Sequence, residues 1–171
     1  RADGSALPSW LTFDPLRHAL TGTPGNDDVG SVALRITVTD GAGASASDEV
    51  MLVVANTNDA PTLQAAPAAL ALTEDSAFNW SVPAGTFADI DVGDTLVYGL
   101  ARADGGFLPS WLQFNAATGA LSGTPGNSEV GAWSLRLTAA DSAGASVSTT
   151  LTLNVANSND APLLQQPLAD R

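Results

Sequence analysis

The sequence contains no cysteine, no lysine, a single histidine (His18) and only three glutamates. Absence of cysteine removes disulfides, zinc–thiolate centres and thiol nucleophiles together. Six arginines are the whole basic complement, so the Lys/Arg clusters that hold nucleic acid or an anionic membrane are missing. With one histidine and no lysine, almost the only general bases are carboxylates. A Ser–His–Asp arrangement would have to recruit His18 from a turn, and the chain reads as non-catalytic. Aromatic residues make up 6% of the chain. No apolar run approaches the roughly 20 residues that span a bilayer, so direct membrane insertion of these residues is not expected.

What the chain does have is aspartate, glycine, proline and repetition. Fifteen aspartates give a formal net charge of −12 over 171 residues, with 16 glycines and 10 prolines among short apolar runs. "LPSWLTFDPLRHALTGTPGNDDVG" (7–30) returns as "LPSWLQFNAATGALSGTPGNSEVG" (108–131), 101 residues later. Sliding the chain by that offset aligns Arg1 with Arg102 and Pro61 with Pro162 without a gap, and 36 of the 61 positions are identical. Such a period defines a tandem array. Residues 1–59 read as the C-terminal part of one repeat, 60–160 as a complete repeat and 161–171 as the start of a further one. The numbering begins inside a repeat, so the expectation is a piece of a longer protein whose export signal lies elsewhere.

Period-two alternation marks strands in the complete copy at Leu70–Leu72, Phe78–Val82, Thr95–Ala101, Leu112–Phe114, Ala120–Ser122, Ala132–Asp141 and Ser146–Asn157. Turn signals such as "DVGD", "ADGG", "TPGN" and "DSAG" separate them. Seven short strands in one repeat predict an all-β fold: tandem cadherin- or immunoglobulin-like β-sandwiches, the first truncated. In "LPSWL", Pro109 keeps Leu108 extended, and Trp111 is expected to plug the core. The first copy lacks counterparts of the first three strands, so residues 1–61 are not expected to be stable alone and should present apolar edges.

The aspartates gather at "NTNDAP" (56–61), "TEDSAF" (73–78) and "FADIDVGDTLVY" (87–98), with Asp141 alone in "AADSAGAS". Calcium takes six to eight oxygen ligands from carboxylates, amides, carbonyls and water. Asp89 and Asp91 converge on one ion if their backbone is a loop, and Gly93 allows a bend that brings Asp94 near. Crowded carboxylates repel, and a divalent cation relieves the repulsion. The alternative is a solvated turn in which Asp and Gly serve the backbone. As a glycosidase pair, Asp89 and Asp91 are too close on one loop to flank a sugar.

"D-x-D-x-G-D-x-L-x-Y", "LP-x-WL-x-F", the "GTP" corner and the closing "N-x-NDAP" together resemble the dystroglycan-type cadherin-like domain. That module occurs in large bacterial surface proteins and some polysaccharide-degrading enzymes. The resemblance implies a secreted or cell-surface, non-catalytic adhesive or extender stalk, stiffened by calcium at the junction between neighbouring repeats. It implies Asn58 and Asp59 as linker ligands, Asp89 and Asp91 as the D-x-D pair, Asp141 as a late ligand and Glu74 as an early one. Asn56 departs from the cadherin linker pattern, and no D-R-E-type motif appears in residues 1–55.

A carbohydrate-binding module is the competing reading. It needs an exposed aromatic platform, and Trp133, replaced by Val32 in the first copy, is the candidate. Homophilic adhesion through strand edges is a third.

Overall fold

Each apolar/polar alternation becomes a strand in the computed structural model, which describes residues 1–162. The expected further repeat at 161–171 lies outside the described residues but for its first two. By internal contact the chain forms two compact units. The first comprises Arg1–Asp59 with Ile90–Asp94, the second Ala60–Asp89 with the chain from Thr95 onward.

The first unit is built on two hairpins. β1 (Leu11–Asp14) pairs with β2 (Ala19–Gly22), and β3 (Gly30–Thr39) pairs with β4 (Ser45–Val54), both antiparallel. Its buried apolar residues are Leu11 and Leu34.

The second unit runs β5 (Thr62–Leu63), β6 (Leu70–Thr73), β7 (Phe78–Ser81), β8 (Phe87–Ala88), β9 (Val97–Arg102), β10 (Leu112–Asn115), β11 (Ala120–Gly123), β12 (Gly131–Ala140) and β13 (Ser146–Ala156). Seven of these make two sheets, ordered β10-β11-β7 and β6-β13-β12-β9; β5 and β8 form a separate pair. All pairings are antiparallel except β6 with β13, which is parallel in the register Leu70↔Leu153 to Thr73↔Ala156. The seven sheet strands are those marked by alternation. The β5–β8 pair is additional, because two-residue strands are too short to show a period.

Inward residues meet as alternation requires. Leu112 and Leu121 from one sheet pack with Leu135, Leu137, Ala139, Leu151 and Leu153 from the other, and Phe87 joins them. Full burial of one such leucine contributes about 1.5–3 kcal/mol.

The "LPSWL" stretch is a turn before it is a strand. Leu112 N donates to Pro109 O at 3.0 Å, which turns the chain into β10. The Trp111 ring lies edge-on to Phe78 (centroids 6.2 Å) and Trp133 (5.9 Å). A Cβ on Gly123 would stand 2.2 Å from Trp111 O, so the "GTP" corner needs glycine there for close approach of the two strands. In the first unit Leu11 N repeats the turn on Pro8 O, and Gly22 repeats the close approach to Trp10 O.

Candidate metal centre

The register of β9 on β12 pairs Val97 with Ala140. Asp94, three residues before Val97, is thereby brought to the same end of the sheet as Asp141, the residue after Ala140. Asp89 follows β8, and Gly93 at φ +86 lets the intervening loop reverse. The result is a cluster: Asp89, Asp94 and Asp141 each offer a carboxylate oxygen, and those oxygens lie within 4.8 Å of one another. Asp141 is buried, and the other two are half-buried. Three carboxylates this close repel in partial burial, and a hard divalent cation is the ligand whose charge and oxygen preference suit them.

Asp141 also has a backbone task. Its Oδ1 accepts from Ala145 N at 2.7 Å and closes the β12–β13 turn. Asp40 closes the β3–β4 turn in the same way, accepting from Ala42 N and Ala44 N at 2.9 and 2.8 Å. Turn chemistry alone therefore accounts for an aspartate at this repeat position; its place beside Asp89 and Asp94 is what turn chemistry leaves unexplained.

The other residues implied by the resemblance divide. Asp91 is buried, and its Oδ2 accepts from Asp59 N at 2.8 Å rather than joining the three-carboxylate group. Asp59 Oδ2 accepts from Asn26 Nδ2 at 2.7 Å, and Asn58 Nδ2 donates to Asp59 O at 3.0 Å. One repeat later Asp160 Oδ2 accepts from Asn127 Nδ2 at 2.6 Å. The aspartate of each "NDAP" is thus tied back to the asparagine of the preceding "TPGN", a link across 33 residues that sequence spacing does not announce.

Glu74 does not belong with Asp141. It follows β6, whose Thr73 pairs with Ala156 at the end of β13, whereas Asp141 precedes the start of that strand. Eleven residues of strand, roughly 35 Å at 3.2–3.4 Å per residue, separate the two positions. At its own end Glu74 is 1% exposed, and its Oε1 accepts from Ser158 N at 2.6 Å. Its Oε2 is buried without a hydrogen-bond partner.

Trp133 is not an exposed platform. It is half-buried, its indole N–H donates to Glu129 O at 2.8 Å, and Arg102 covers the ring at 5.6 Å from the centroid. Asp104 in turn holds that guanidinium at 2.6 Å. His18 is exposed on the β1–β2 turn.

A family model described as Putative Ig domain (He_PIG) matches residues 1–55 and, again, 60–156. The chain belongs to that family. Its two matches to the He_PIG model fall on the two copies of the repeat. A search of curated proteins found no match. Among solved structures the chain is similar to protocadherin gamma B2 extracellular cadherin domains 1–5, at 20% identity and TM-score 0.63, over 82% of this chain and 29% of that one. It is also similar to protocadherin gammaB7 extracellular domains 3–6 in a cis-dimer structure, at 23% identity and TM-score 0.63, over 88% and 40%. An endo-fucoidan hydrolase of glycoside hydrolase family 107 matches at 26% identity over 91% and 23%, with a TM-score of 0.48. This He_PIG chain therefore spans well under half the length of these solved chains, and the protocadherin likeness establishes a cadherin-type fold. Among the described residues no helix is long and apolar enough to cross a membrane.

Proposed function

We propose that this chain is a non-catalytic, extracellular calcium-binding module of the dystroglycan-type cadherin-like kind, working as an adhesive or extender stalk of a bacterial secreted or surface protein. The convergence of Asp89, Asp94 and Asp141 within 4.8 Å carries the reading. These three would hold the ion, with Asn58, Asp59 and Asp91 as oxygen donors of the adjoining linker and loop. Bound calcium would neutralise the crowded carboxylates and restrict the linker, which stiffens the array of neighbouring repeats. Glu74, at the other end of β13, would serve the junction after the complete repeat. The protocadherin similarity supports the fold on which this reading rests.

The experiment is a thermal melt of the 171-residue chain in EDTA and across a calcium titration, with magnesium as control. Calcium at about 100 times its dissociation constant stabilises the folded state by about 2.7 kcal/mol. A calcium-selective rise in Tm that disappears in Asp89→Asn and Asp141→Asn is the expected result. A Tm indifferent to calcium, or a rise unchanged in both variants, removes the site.

A further inference from the structure

Acidic residues are unevenly placed along the chain. The four strands of the larger sheet, β6, β13, β12 and β9, contain no aspartate or glutamate, although the chain has eighteen such residues. These strands carry two arginines, Arg102 and Arg136. Arg102 is engaged by Asp104 and by the Trp133 ring. Arg136 makes no hydrogen bond or ion pair among the described residues. It stands between Leu135 and Leu137, both sealed in the core, so its side chain lies on the outer face of the sheet.

The first copy shows what this guanidinium accepts as a partner. Arg35 is the repeat equivalent of Arg136, and Glu49 faces it across the hairpin. Arg35 Nη2 donates to Glu49 Oε1 at 2.9 Å. Thr150 stands at the Glu49 position and faces Arg136 in the same register. Thr149 likewise replaces Asp48. The second copy keeps the arginine and lacks its carboxylate.

Beside Arg136 the outer face forms a shallow groove of about 290 Å³, lined by Arg136, Thr138, Ser146, Val147 and Ser148. Ligand sites run from about 300 to 1,000 Å³, so this one suits a small group. Gly99, Thr138 and Ser148 make a row across three strands, and the glycine leaves the β9 side of that row open. Along Leu135–Ala140 the backbone of β12 is paired to strands on both sides. The groove therefore offers hydroxyls and one guanidinium on a sheet face, not the free edge that takes up a peptide strand.

We propose that this groove binds a uronate residue of a polysaccharide, whose carboxylate takes on Arg136 the place that Glu49 takes on Arg35. A guanidinium holds a carboxylate through two parallel N–H···O bonds. The hydroxyls of Thr138, Ser146 and Ser148 both donate and accept, which complements the hydroxyls of a sugar ring. The formal net charge of −12 opposes a dense polyanion. The ligand is accordingly a glycan in which uronate is spaced among neutral sugars.

The test titrates xylotriose bearing one glucuronate into the isotope-labelled 171-residue chain in EDTA, so that its outcome is independent of calcium. Amide shifts are read by NMR, with the methyl ester of the same oligosaccharide as the neutral control. Saturable shifts centred on Arg136, Thr138 and Ser146–Ser148, absent with the ester, are the expected result. Thr150→Glu, which restores the carboxylate of the first copy, should weaken binding about tenfold or more, and Arg136→Gln should do the same. Both positions are exposed, and melts of the two variants check that the fold is kept. No shift at about 10 mM ligand overturns the proposal. Equal binding of the ester, or undiminished binding by Thr150→Glu, also overturns it. A triglutamate peptide that binds the same residues as tightly overturns it too, because the groove is then a site for acidic protein side chains.

Discussion

Val50 and Leu151 occupy the same position in two copies of one repeat, yet Val50 is 44% exposed and Leu151 is sealed. Both sit on long strands paired to a hairpin partner, in registers that correspond residue for residue. What separates them is the presence of β6, β7 and β9 across and beside the strand. Alternation therefore settles which way a side chain points, and burial depends on whether the rest of the sandwich is there to receive it. The second unit has a core, while the first has the inner surface of one.

That contrast predicts unequal costs for equal mutations. Leu151→Ala should cost about 2–5 kcal/mol, since it opens a cavity in a closed core. Val50→Ala should cost at most about 1 kcal/mol, as expected for a partly hydrated site. Urea unfolding of the two variants measures both, and similar losses would show that Val50 is covered after all.

A swap at the β-turn sharpens the comparison. His18 and Gly119 both adopt positive φ, at 51° and 66°. Gly119→His should destabilise the second unit by about 1–3 kcal/mol, because its side chain meets Val82 and Tyr98. The reverse change, His18→Gly, relieves a left-handed residue and should stabilise the first unit by about 1 kcal/mol. Loss of stability in His18→Gly would mean that the imidazole has a packing role.

Acid should produce the smallest difference, common to both units. Asp3 and Asp104 close the same turn in the two copies. The Ser5 hydroxyl and then its amide hold Asp3 below the ordinary value of 3.8, and the Gly106 amide does most of this for Asp104. Asp14 is lowered chiefly by the Arg17 and Leu16 amides. A carboxyl whose folded pKa is depressed contributes fully above its unfolded value and loses that contribution as pH falls through the folded one. Stability should therefore be flat above about pH 5 as far as these groups go, and decline in the range below 3.8. Asp104→Asn should flatten part of that decline, as a pH series of melts would show.

The sheets were largely legible in the sequence because strand alternation and an ungapped repeat are local, redundant signals. The seven sheet strands and the open face of the first copy follow from them. Partners distant in sequence were harder to read. Parallel pairing of β6 with β13 joins the two ends of a repeat, and it is this pairing that carries Glu74 away from Asp141. The bend at Gly93 that brings Asp94 near Asp89 is readable from the glycine itself, whereas the β9–β12 register that sets both at the end of the sheet beside Asp141 is not. Trp133 reads as dispensable because Val32 replaces it, but the bond of its indole N–H, its neighbour Trp111 and the cover of Arg102 are apparent only once the fold is known.

The parallel β6–β13 pairing also determines how the complete repeat bears a load. Tension applied to the two ends of the second unit would pull the chain backwards from Leu70 and forwards from Ala156, while the two strands between those points run in the same direction. The four paired positions from Leu70↔Leu153 to Thr73↔Ala156 are then loaded in shear, side by side. An antiparallel hairpin pulled from its open end yields one rung at a time, like a zipper. Here the rungs must give way together, so the seam between the first and last sheet strands acts as a clamp against extension.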